Sequence, residues 1–211
     1  MKKTIIFTIC FSLFQFTLQA QKNFEGVIKF KVDFKDKTGE MTKEQIEEYI
    51  GNEQTYYLKK GRYKSEMNGS LKVTTYYNGN DTLFMKTSTI NSLMYTLVTN
   101  EDEKVLSYKF SDVTETIAGV KCKLVIVKTN KGTHKYYYSK DVRIKPKFYK
   151  KHKAGLWSYF MKITKGGISI RSIADLDGSY NSIEAVSIER KKLDDSIFDR
   201  PNLPITIMPR N

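Results

Sequence analysis

The sequence predicts a mainly β protein built as an antiparallel meander. Three observations carry this. Apolar residues recur with a period of two through most of the chain. Turn signals rich in Asn and Gly punctuate it every seven to ten residues, at the spacing of successive hairpins. Only one short segment carries a complete helix signature.

The elements follow in order. Residues 1–20 read as a secretory signal peptide: Lys2 and Lys3 form a positive start, Ile5 to Phe16 an apolar stretch, and Leu18-Gln19-Ala20 a cleavage site before Gln21. The apolar stretch is too short to span a bilayer, which needs about 20 residues. Cys10 follows Ile9 inside that stretch, the wrong context for lipid attachment. In Phe24–Phe34, Ile28, Phe30, Val32 and Phe34 alternate with Lys29, Lys31 and Asp33, a strand with one dry and one wet face. Thr42-Lys-Glu-Gln45 is a capping box. It opens a helix whose Ile46, Tyr49 and Ile50 share a face and which Gly51 terminates.

Strands are expected at 54–60, 62–67, 71–77, 82–87, 93–99, 104–110, 114–117, 121–129 and 133–139. Turns at Gly61, Asn68-Gly69, Asn78-Gly79, Asn100–Glu103 and Asn130–Gly132 join them into sequential hairpins. The segment 144–165 breaks the period and reads as partly helical or a long loop. Strand character returns at 168–173 and 182–191, and Ile205–Met208 between two prolines suits a short edge strand.

The charge is unusual. The 211 residues carry a net charge of +13, which draws a protein toward anionic surfaces. Arg143, Lys145, Lys147, Lys150, Lys151 and Lys153 are six cations within eleven residues with no acid among them. Phe148, Tyr149, Trp157, Tyr159 and Phe160 are interleaved or adjacent. Cations mixed with aromatics suit an anionic membrane surface or amphiphile. A solvated loop whose rings pack on a sheet is the plainer reading of the same residues. Export argues against nucleic acid as the partner.

No motif announces a reaction. The chain has no GxSxG, no Walker loop, no HExxH and no CxxC, so a non-catalytic role without a cofactor is expected, with a hydrolase as the lesser alternative. Two Cys and two His support neither a disulfide framework nor a His-rich metal site. Asp175-Leu-Asp177-Gly178 and Lys165-Gly166-Gly167 read as turns. Cys122 shares a face with Val120, Leu124 and Ile126, the place of a small buried hydrophobe. A reactive thiol paired with His134 across a hairpin is the alternative.

Three stretches carry a resemblance: Phe24-Glu-Gly-Val-Ile-Lys-Phe30, Glu115-Thr-Ile-Ala-Gly-Val-Lys-Cys-Lys123, and the ending Lys192-Leu-Asp-Asp-Ser-Ile-Phe-Asp-Arg-Pro201. Together with the order of elements, they resemble small exported bacterial proteins whose fold is similar to the LolA/LolB lipoprotein carriers. The resemblance implies one domain over 21–211: an open, strongly curved antiparallel sheet, a half-barrel with one or two short helices at its concave face. It implies a hydrophobic cavity between sheet and helix. Ile46, Tyr49 and Ile50 of the capped helix, with Trp157, Tyr159 and Phe160, are the candidate ligand contacts, and Arg143 to Lys153 the candidate contact with an anionic surface. The expected role is a binding module for a lipid, a lipoprotein acyl chain or another amphiphile, exported to the periplasm or envelope of a Gram-negative bacterium. The alternatives are a structural or surface-associated envelope protein and an outer-membrane β-barrel. Short strands and the Pro209-Arg210-Asn211 terminus, which lacks an aromatic end, weigh against the barrel.

Overall fold

Chain length alone forces the sheet to curve. A computed structural model describes residues 23–101 and 103–208; the stretch expected to be a signal peptide and the last three residues lie outside that range. The strands are β1 (Gly26–Asp36), β2 (Glu53–Lys59), β3 (Arg62–Met67), β4 (Thr74–Tyr77), β5 (Thr82–Lys86), β6 (Leu93–Leu97), β7 (Val105–Ile117), β8 (Val120–Thr129), β9 (Gly132–Arg143), β10 (Gly167–Leu176), β11 (Ser179–Arg190) and β12 (Ile205–Ile207). All lie in one sheet, ordered β12-β6-β5-β4-β3-β2-β1-β11-β10-β9-β8-β7. β6 and β7 are therefore ten places apart, which is ~48 Å in a flat sheet. Only residues 98–104 join them, and that span reaches at most ~28 Å. The sheet must curl to bring its two ends together. The end strands β12 and β7 do not pair with each other, so the sheet stays open and the barrel alternative fails.

Most of the meander follows the turn signals. β2 to β6 and β7 to β11 are two runs of antiparallel hairpins, and β1 stitches them together by pairing with β2 and β11. The expected hairpin at Asn100–Glu103 is instead the crossing between the two ends of the sheet. Asn68-Gly69 is not a tight hairpin either. The Asn68 side chain accepts hydrogen bonds from the Asn52 and Glu53 amides at 2.9 and 3.0 Å. Gly69 lies against the backbone of Ile50 and Gly51, where a Cβ would approach within 2.3 Å. The pair docks the end of a helix, and β4 starts only at Thr74. The strands expected at 104–110 and 114–117 form one strand, β7, with a register shift between Phe110 and Thr114. β12 is the short edge strand expected, parallel to β6.

The two faces of β1 match its alternation. Ile28, Phe30 and Val32 are buried on the concave side, while Lys29 and Lys31 are exposed. Val27 faces the other way, where Leu193 and Phe198 cover it. That gives the ending at 192–201 a physical role. Asp194 accepts from the Ser196 amide at 2.8 Å and caps a 3₁₀ turn over Asp195–Phe198. Asp195 pairs with Lys59 at 3.0 Å and with Arg62, holding the turn against β2 and β3. Helix α1 (Lys43–Tyr49) has its capping box formed: the Gln45 amide donates to Thr42 Oγ1 at 3.2 Å and the Thr42 amide to Gln45 Oε1 at 2.8 Å. Cys122 is fully buried and lies opposite Ser139, not His134. Burial pushes its thiol up to about 11, so it packs as a hydrophobe and is a poor nucleophile.

An aromatic cleft under the second helix

The segment 144–165 builds the cover of the concave face. It forms two 3₁₀ turns, Pro146–Tyr149 and Ala154–Leu156, and then helix α2 (Trp157–Ile163). Gly155 and Leu156 both adopt left-handed backbone, and this double reversal starts the helix. A Schellman motif ends it: the Gly166 amide donates to the Met161 carbonyl at 2.9 Å and the Lys165 amide to Lys162 at 3.3 Å. Gly166 has φ +90°, and a Cβ there would stand 2.0 Å from the Ile144 carbonyl oxygen. Gly166→Ala is expected to cost at least about 1–2 kcal/mol from the backbone alone, with a red shift of Trp157 emission as α2 lifts. Thermal unfolding followed by that emission checks both.

The basic run divides by side-chain type. Tyr149 and His152 are fully buried in a box with Tyr63, Tyr77 and Trp157. Trp157 stacks on Tyr63 at 5.4 Å, and His152 meets the edge of Tyr77 at 4.7 Å. The Tyr63 hydroxyl and His152 Nε2 are hydrogen-bonded at 2.9 Å, while His152 Nδ1 and the Tyr149 hydroxyl have no hydrogen-bond partner among the described residues. Lys145, Lys147, Lys150, Lys151 and Lys153 all point outward. Lys151 pairs with Asp81 at 3.1 Å and Lys153 with Glu101 at 4.0 Å. Arg143, half-buried at the end of β9, donates to the Lys165 carbonyl at 2.7 Å. The aromatic rings anchor the segment, and its lysines coat it.

A cleft of about 300 Å³ lies between α2 and the sheet. Phe30 and Phe34 of β1, Tyr56 and Leu58 of β2, Ile183 of β11 and Tyr136 of β9 line its floor; Trp157, Phe160 and Met161 form its roof. Phe160 clamps the roof down, 4.6 Å from the Tyr136 ring and 6.3 Å from Tyr138. Trp157 and Phe160 are thus where a cavity ligand would meet them. Tyr159 points instead to a smaller recess beside Glu101 and Lys153, and its ring lies 6.0 Å from Tyr108.

The closing helix is α2 and not α1, a correction to the expected placement. Ile46 is buried, Ile50 packs against the main core cluster and Tyr49 is exposed, but none of the three lines the cleft. α1 is held near the ends of β1 and β2 by the Gly51 and Asn68 contacts. Sequence reading missed the polar lining: Gln54, His134, Ser169, Ser172 and Asn181. Each stands in a strand where period two allows either face, so no local signal marks it.

No protein-family profile matches the chain, and no curated protein matches it in sequence. Among solved structures, PNGF-II is similar in two crystal forms. One shows 14% identity and a TM-score of 0.49 over 87% of this chain and 31% of that one. The other shows 13% and 0.40 over 87% and 32%. Mycobacterium tuberculosis lipoprotein LppX is similar at 9% identity and a TM-score of 0.36, over 76% of this chain and 85% of LppX. The chain thus spans about a third of PNGF-II. At these scores no residue role passes from those proteins to this one, and the cleft is read from its own side chains.

Proposed function

We propose that the protein is a non-catalytic binding module for a lipid or similar amphiphile, exported to the periplasm or envelope. The observation that carries this is the aromatic and aliphatic cleft between the curved sheet and α2. Ligand pockets are concave, largely apolar and about 300–1,000 Å³ in volume. This cleft is at the small end, which favours one acyl chain over the several of a complete lipoprotein anchor.

Trp157 is the only tryptophan and lies in the roof, so binding is readable directly. Titration of N-phenyl-1-naphthylamine is expected to quench Trp157 emission and to show energy transfer to the probe. Lipid extracted from protein purified from its native host should displace the probe. A full chain that neither binds the probe nor carries lipid would reject the cleft and leave an envelope protein without a small-molecule ligand.

The outward lysines supply a second contact. Each cation near an anionic bilayer contributes about 1 kcal/mol. Replacing Lys147, Lys150, Lys151 and Lys153 with Gln is expected to weaken binding to phosphatidylglycerol vesicles at low salt. Wild-type binding should fade as salt rises. Equal binding to neutral vesicles by both proteins would reject this contact.

A further inference from the structure

The cleft has a polar end without a net cation, and this restricts the ligand's head group. Phe34 of β1, Asn181 of β11, Ala174 of β10 and His134 of β9 stand abreast on adjacent strands. One row deeper into the sheet, Ile183, Ser172 and Tyr136 do the same. Asn181, Ser172 and His134 therefore face one another across three strands on the floor of the cleft. The Asn181 and Ser172 side chains hold no hydrogen bond to any described residue, so they are available to a ligand. Among the described residues no Lys, Arg, Asp or Glu lines the cleft, and the side chains of Gln54 and Ser169 in its lining are also uncharged.

His134 does not change that balance. Its Nε2 lies 2.8 Å from Glu103 Oε1, and both side chains are about nine-tenths buried. With a neutral imidazole the pair carries the glutamate's negative charge. With an imidazolium it carries none. In neither state is a positive charge left over for an anionic ligand. Bringing a carboxylate or phosphate into such a site without a paired cation is strongly disfavoured. A hydroxyl or amide head loses much less and gains hydrogen bonds from Asn181 and Ser172.

We propose that the cleft takes a single-chain amphiphile with an uncharged hydrogen-bonding head, seated against Asn181 and Ser172, and rejects its anionic counterpart. This rests on the binding reading above and names the ligand class for the same site. It also separates two surfaces of opposite preference: a lysine-coated exterior that attracts anions, and an interior that excludes them.

Dodecanol and dodecanoate, titrated at pH 8 below their aggregation limits and read by Trp157 emission, test it. Dodecanol is expected to bind more tightly on the order of tenfold or more, the equivalent of about 1.4 kcal/mol. Asn181→Leu should weaken dodecanol and narrow the gap. Asn181→Lys should reverse the preference by supplying the missing cation. Dodecanoate binding as tightly as dodecanol to the wild type, or an Asn181→Lys protein that keeps the wild-type preference, would overturn the proposal. Binding of neither compound would instead overturn the ligand-binding reading on which it rests.

Discussion

Phe160→Ala is expected to lower stability by about 3–5 kcal/mol. The side chain is 5% exposed and is the contact through which α2 meets Tyr136 and Tyr138. α2 is only seven residues long, too short to persist without tertiary packing. Losing the ring should therefore free the helix as well as leave a void. Phe160→Leu keeps most of the volume and should lose far less. A lower urea m-value for the alanine variant would report the freed helix, because its folded state already exposes more surface. A loss below about 1 kcal/mol for the alanine variant would show that α2 is not docked on the sheet.

The second large effect is a dependence on pH carried by His152. The ring is 2% exposed, and burial among aromatic rings lowers its pKa from 6.5 to about 4. The groups packed against it are Tyr63, Tyr77, Tyr149 and Trp157, none of them an acid that would hold a proton there. Above pH 6.5 both folded and unfolded chains carry a neutral ring, and the contribution to stability is complete. As pH falls from 6.5 toward 4, only the unfolded chain takes up the proton, and stability declines. Below about 4 the decline ends, because the folded protein is protonated too. Between pH 7.5 and 4.5 the loss is about 2–3 kcal/mol. Denaturation midpoints for wild type and His152→Phe at those two pH values isolate it, since carboxylate contributions are common to both. An equal pH dependence in the two proteins would reject a buried neutral His152.

Much of the fold was legible because β-sheet alternation is local. Ile28, Phe30 and Val32 identify the concave face of β1 without reference to any other strand. The capping box at Thr42 and Gln45 placed α1 to the residue, since both halves of the motif lie within four positions. Pairings set by distant parts of the chain were not legible. Asn100–Glu103 has the composition of a hairpin turn, yet β6 and β7 lie near opposite ends of the sheet because β1 has taken β11 as its partner. The cover was obscure for a related reason. Trp157-Ser-Tyr-Phe-Met-Lys-Ile163 is rich in residues indifferent to helix, and its start depends on left-handed backbone at Leu156, where the residue type gives no warning. The role of Trp157 and Phe160 could be guessed from their proximity to the basic run. The matching floor, above all Asn181 and Ser172, emerges only once β1, β11, β10 and β9 lie side by side.

The position of β1 also bears on how the chain folds. Its first residue pairs with Leu58 on one side and with Arg190 on the other. The first pairing closes a loop of some thirty residues, while the second must wait until nearly all of the polypeptide is present. Loop closure over such a distance slows folding, and until it happens one flank of the central strand lacks its ladder. Long-range pairing of this kind delays compaction during synthesis. If the chain is exported as proposed above, that delay keeps it competent for passage through a membrane, and the arrival of β11 completes the sheet on the far side.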